Sequence, residues 1–143
     1  MEADLLRVAD SVVDELNTAP LSIAVSAKRL YQPQFELREM QTLHVTVVPS
    51  AEEIKTLTRG ASMKSLFVDV GVQKKFSKGD AAELDLLVSL VDEIAALFHR
   101  KRLATAPEAI CTVVKPDPIF APEHMEQFRQ FTSIVSLEFK VFG

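Results

Sequence analysis

The sequence has no tryptophan, four glycines and one cysteine in 143 residues. The four glycines form neither a G-x-G-x-x-G turn nor a P-loop, so no glycine-rich cradle for phosphate is written in the chain. No G-x-S-x-G elbow is present either, which removes the hydrolase signature. The lone Cys111 cannot form an internal disulfide, and its apolar setting in Ile110–Val114 predicts a buried, reduced thiol. An excess of basic residues is also missing. Sixteen Lys and Arg stand against twenty Asp and Glu, giving a net charge of −4 and a pI near 5.4. That balance argues against a general nucleic-acid binder, which needs a basic surface to neutralise phosphates, although it permits a local basic patch. No apolar run approaches the roughly 20 residues of a transmembrane helix. Met1–Leu6 lacks a basic segment followed by an apolar core, so the expectation is a chain made and kept in a cytoplasm unless it leaves within an assembly.

What is present fits a globular domain. Hydrophobic residues make up 48% and charged residues 25%, ordinary values for a folded chain rather than a disordered one. The length matches a single domain over 1–143, large enough to bury a core without a disulfide or metal.

Two helices are predicted. Leu5, Val8, Ala9, Val12, Val13 and Leu16 recur at helical spacing, and Asn17 and Pro20 end the segment. Asp80 with Glu83 reads as a capping box that opens a second helix. There Leu84, Leu87, Val88, Val91, Ile94, Ala95 and Phe98 form the apolar stripe, widened by Leu86, Leu90 and Leu97. His99–Arg102 closes it with positive charge, where the helix dipole favours cations.

The remaining pattern alternates. Strands are predicted over 22–31, 41–49, about 66–73, 109–115 and 132–142. Pro49-Ser50 reads as the end of the second strand. Residues 51–65 fit either an exposed strand or a polar loop, and 51–76 as a whole resembles a long hairpin with a polar tip. The order is α-β-β-(β-β)-α-β-β. Consecutive strands without intervening helices imply antiparallel pairing. The predicted class is α+β: a single antiparallel sheet, with a mixed sheet permitted, and both helices on one face.

No catalytic or metal-binding constellation is legible. His44, His99 and His124 have no partner residues at metal-ligand spacing. Glu123-His124 is the nearest approach to an acid/base pair, and adjacent residues rarely point into one site. The expectation is therefore a non-enzyme with no cofactor and no metal. Two basic clusters stand out, Lys74-Lys75 with Lys78, and Arg100-Lys101-Arg102; the second reads as a solvated helix end. Phe120, Phe128 and Phe131 gather around proline-bounded chain, either as core or as an intersubunit contact.

A family resemblance rests on Val68-Asp69-Val70-Gly71-Val72-Gln73-Lys74-Lys75, the acidic start of the helix after it, and Ala121-Pro122-Glu123-His124-Met125 leading to a terminal strand. In these segments and in element order over most of the chain, the sequence resembles small neck and tail-completion proteins of tailed bacteriophages and prophages, tail terminators among them. The resemblance implies a structural virion protein at the head–tail junction. Such proteins form a homo-oligomeric ring, commonly of six subunits, that caps the tail tube and meets the head–tail connector protein. DNA is only passing cargo, and no membrane is involved. The family has no enzymatic residue to carry over. Two alternatives stand beside it, a head-completion adaptor of the same neck and a soluble cytoplasmic binding module. Contact residues are expected on the hairpin and before the last strand: Thr58, Arg59, Lys64, Lys74, Lys75, Phe120 and Glu123.

Overall fold

A computed structural model of the chain describes residues 3–31, 42–75, 81–117 and 130–142. The fold is α+β, with two helices and one five-stranded mixed sheet. Helix α1 spans Asp4–Thr18 and α2 spans Ala81–Phe98. The strands are β1 (Ala27–Arg29), β2 (His44–Thr58), β3 (Ala61–Lys75), β4 (Ile110–Pro116) and β5 (Gln130–Phe142). Their order across the sheet is β1-β2-β3-β5-β4.

The valine-rich alternation of β3 explains its central place. Val68, Val70 and Val72 are fully buried. They stand opposite Pro49, Val47 and Val45 of β2. On the other side Val70 faces Val135, Val68 faces Leu137 and Leu66 faces Phe139 of β5. These side chains share one sheet face, and both helices cover it. Val8, Val12 and Leu16 of α1 enter the same core as Leu87, Leu90, Val91, Ile94 and Phe98 of α2. Each such buried side chain contributes about 1.5–3 kcal/mol relative to exposure. The predicted α2 stripe is therefore the buried face, except that Leu86 points outward, 58% exposed.

Three sequence expectations change. The predicted 22–31 strand shrinks to Ala27–Arg29. It runs parallel to β2, not antiparallel, with Ala27 opposite Val45 and Arg29 opposite Val47. A parallel neighbour needs a crossover of roughly a dozen residues or more, and the 30–43 connection is long enough to supply it. Asn17, read as a helix stop, also fixes the start of β1. Its Oδ1 accepts from Ala27 N–H at 2.7 Å and its Nδ2 donates to Ala27 C=O at 3.3 Å.

Pro49-Ser50 does not end β2. The ladder shifts register between Pro49 and Ala51 and continues to Thr58. Ser50 is thus the extra residue of a β-bulge, a device that absorbs a residue and re-twists a strand without stopping it. Its hydroxyl donates to Phe67 C=O at 3.0 Å. The segment 51–65 accordingly resolves as strand, turn and strand. A second bulge lies at Leu57, just before the Arg59-Gly60 turn, where Gly60 takes φ 84°. A left-handed backbone of that kind costs glycine no Cβ clash. β4 repeats the device: Thr112 is the extra residue, and its hydroxyl donates to Glu138 C=O at 3.4 Å.

Asp80 of the expected capping box lies outside the described residues, as do Phe120, Glu123, His124 and Phe128. Phe131, grouped with that proline-bounded cluster, is a fully buried core residue.

Candidate assembly surface

The β2–β3 hairpin runs from the helix-covered core out to an exposed tip. Each strand has 15 residues, against a usual five or six. At about 3.3 Å per residue each arm spans roughly 45 Å. β1 covers the outer edge of β2 only at 45–47, with Leu30 N–H donating to Val47 C=O. Among the described residues no strand pairs with the outer edge of β2 over 50–58. All of those positions are exposed, including Ile54 (60%) and Leu57 (50%). A long uncovered edge presents unpaired N–H and C=O groups to any incoming strand.

The seven residues expected to make contacts do not converge. Thr58 and Arg59 stand exposed at the tip. Lys74 and Lys75 lie at the opposite end of β3, separated from the tip by nearly the whole strand. Two of the lysines are engaged within the chain. Lys64 Nζ lies 3.0 Å from Asp4 Oδ2, at the first turn of α1. Lys74 Nζ lies 2.9 Å from Glu83 Oε1, at the first turn of α2. Lys75 is half-buried opposite Gln130. Phe120 and Glu123 lie outside the described residues.

Asp4 belongs to a wider network. It also accepts from Arg7 at 3.2 Å, and Arg7 pairs with Glu108. The hydrogen bonds from Lys64 and then Arg7 hold the Asp4 carboxyl below its usual range. The same pairing raises Lys64, while Glu108 and then Asp4 raise Arg7. The second basic cluster is likewise partly spoken for. Lys101 pairs with Glu15 at 3.3 Å, and Glu15 also accepts from Ala104 N–H at 3.0 Å. The guanidinium of Arg102 donates to Pro107 C=O. Arg100, two residues past the helix, takes φ 58°. The 99–102 segment thus locks α2 to α1 as well as closing the helix.

Sequence reasoning missed the exposed apolar residues. Besides Ile54 and Leu57 these include Phe142, at the end of β5 opposite Met63, and Leu86 on α2. The signal for the first pair was present: two isolated aliphatics in and just after the charged run Glu52-Glu53-Ile54-Lys55 have no stripe to join.

Two hollows mark the surface. One, about 360 Å³, lies on the sheet face away from the helices, between Phe67, Asp69, Val113, Lys115 and Ser136. The other, about 550 Å³, runs along α2 beside Ser22 and the end of β4, with Leu86, Val88, Val91 and Pro116 as its apolar lining. Asp92 and Glu93 rim this groove, and Glu93 accepts from Ser22 N–H at 2.9 Å.

Chemistry-bearing groups are dispersed. Among the described residues no group of three or more His, Cys, Asp or Glu could hold a metal ion. His44 is half-buried on β2, 3.4 Å from the Thr42 hydroxyl, and His99 is exposed after α2. Burial pushes the Cys111 thiol up to about 11, which keeps it protonated and unreactive at neutral pH. Among the described residues no helix is long and apolar enough to cross a membrane.

No family model matches the chain, and no curated protein matches it. Twenty-one chains among solved structures match; one of them is 17% identical at TM-score 0.49, covering 99% of this chain and 96% of its own.

Proposed function

We propose that this chain is a structural subunit of the neck of a tailed bacteriophage or prophage, a tail terminator that forms a ring on the tail tube and joins it to the head connector. The sequence resemblance supplies the class. The structural observation that supports it is the β2–β3 arm, whose outer edge at 50–58 pairs with no strand among the described residues while the opposite edge of the same sheet is a different strand, β4. A sheet with two unlike edges is suited to heterologous contacts, in which one patch meets a different patch on a neighbour, and such contacts close into rings when the rotation between neighbours allows it. The uncovered edge carries Ile54 and Leu57, which gives the contact an apolar component as well as backbone groups.

On this reading the protein is made in the host cytoplasm and carried in the virion. Its partners are further copies of itself, the tail tube protein and the connector. DNA passes through the ring without being held, in keeping with the net charge of −4. The role requires no turnover and no cofactor. Mass spectrometry of purified particles is the direct test. The reading expects the chain in intact particles at a few copies per tail, and its consistent absence from infectious particles would overturn it.

A further inference from the structure

The hairpin arm and the α2 groove are two separate surfaces with exposed apolar side chains, and the arm's tip is cationic at Arg59 where the groove's rim is anionic at Asp92 and Glu93. The arm belongs to β2, on the flank where α1 packs. The groove lies along α2, between Ser22 of the α1–β1 connection and the end of β4. Three strand spacings separate β2 from β4, about 14 Å at roughly 4.8 Å each. The arm presents exposed Ile54 and Leu57 with the cation Arg59 at its tip, while Lys55 pairs with Glu53 at 3.5 Å beside Glu52. The groove presents Leu86 and Val88 under an anionic rim of Asp92 and Glu93. Glu93 is anchored by Ser22, so one of these charges is held in place.

We propose that the α2 groove of one copy receives the β2–β3 arm of another. Ile54 and Leu57 enter the apolar lining, and Arg59 meets Asp92 and Glu93. This assignment rests on the ring reading above and names the two patches that meet. Because arm and groove are unlike surfaces, each copy offers one of each, which is the condition for a head-to-tail ring.

Mixed cross-linking tests the contact. Chains carrying Leu57→Cys are mixed with chains carrying Leu86→Cys and oxidised. Both sites are exposed, and Cys111 is buried with its thiol protonated, so the native cysteine does not compete. The expected product is the mixed dimer, arm variant joined to groove variant, well above either like-with-like dimer. Dominant dimers of the arm variant with itself, or no mixed product at the highest soluble concentration, would overturn the proposal. Sedimentation provides the second measurement. Arg59→Glu should weaken self-association roughly fivefold, the scale of one exposed charge pair, and adding Asp92→Arg in the same chain should restore it. Loss without restoration contradicts the pairing. A mixed cross-link from a chain that is absent from particles would overturn the neck reading and leave this contact standing. A chain found in particles without the cross-link would do the reverse.

Discussion

Lys64 Nζ, on the β2–β3 arm, lies 3.0 Å from Asp4 Oδ2, at the first turn of α1, across sixty residues of chain. This contact fixes the arm against the body of the protein. It also makes stability depend on pH in a defined direction. The Asp4 carboxyl is lowered from 3.8 by Lys64 and then Arg7, so its contribution is present above 3.8 and lost as pH falls through the lowered folded value. Lys64 is raised from 10.5, so its contribution is present below 10.5 and lost as pH rises through the higher folded value. Lys64→Met should therefore melt below the wild type near neutral pH by a small margin, since both side chains keep about a third of their surface in water. The margin should shrink under acid as Asp4 is protonated. Thermal melts from neutral pH down into the acid range check this, and a difference that grew on acidification would contradict it.

Charge reversal should separate the hairpin cations by role. Arg59 stands free of the core at the exposed tip, whereas Lys74 is paired with Glu83 at 2.9 Å on the α2 side. Arg59→Glu should leave the melting temperature unchanged and impair assembly. Lys74→Glu places two carboxylates together at a partly buried site and should lower the melting temperature. Melts and sedimentation of the two variants provide the comparison.

The bulge hydroxyls make a graded pair. Ser50 donates to Phe67 C=O at 3.0 Å and Thr112 to Glu138 C=O at 3.4 Å. Ser50→Ala should cost about 0.5–1 kcal/mol, the usual net value of such a bond, and Thr112→Val less, because its bond is longer. Urea denaturation of both variants measures the order. Equal losses would remove the hydroxyl account of the β2 bulge.

The bulges also explain where sequence reading stopped. Helices α1 and α2 and strands β3 and β5 were legible because long apolar periods decide them, and Val68, Val70 and Val72 occupy the positions that alternation assigns. Pro49-Ser50 misled because a proline followed by serine is ordinary turn chemistry. Here the serine satisfies a carbonyl through its side chain, so the strand absorbs both residues. The short parallel β1 was illegible because its start is set by Asn17, a contact that local alternation does not encode. Nor could the sequence reveal that Lys64 and Lys74 turn inward to Asp4 and Glu83, since those partners are set by the packing of the helices.

The two faces of α2 should differ sharply. Phe98 is fully buried and Leu86 is 58% exposed. Phe98→Ala should cost about 3–5 kcal/mol, the range for emptying an aromatic site in a core. Leu86→Ala should change stability by no more than about 0.5 kcal/mol. Denaturant titration of both checks the assignment of the buried stripe. If Leu86→Ala then weakened self-association at unchanged stability, its exposed face would be acting in the groove.

The central claim is the neck role, and electron microscopy of tails assembled with and without this chain tests it most directly. The account predicts that the labelled chain forms a ring at the head–tail junction, and that its removal gives overlong or headless tails. Tails of normal length joined to heads in its absence, with no label in the particle, would contradict it.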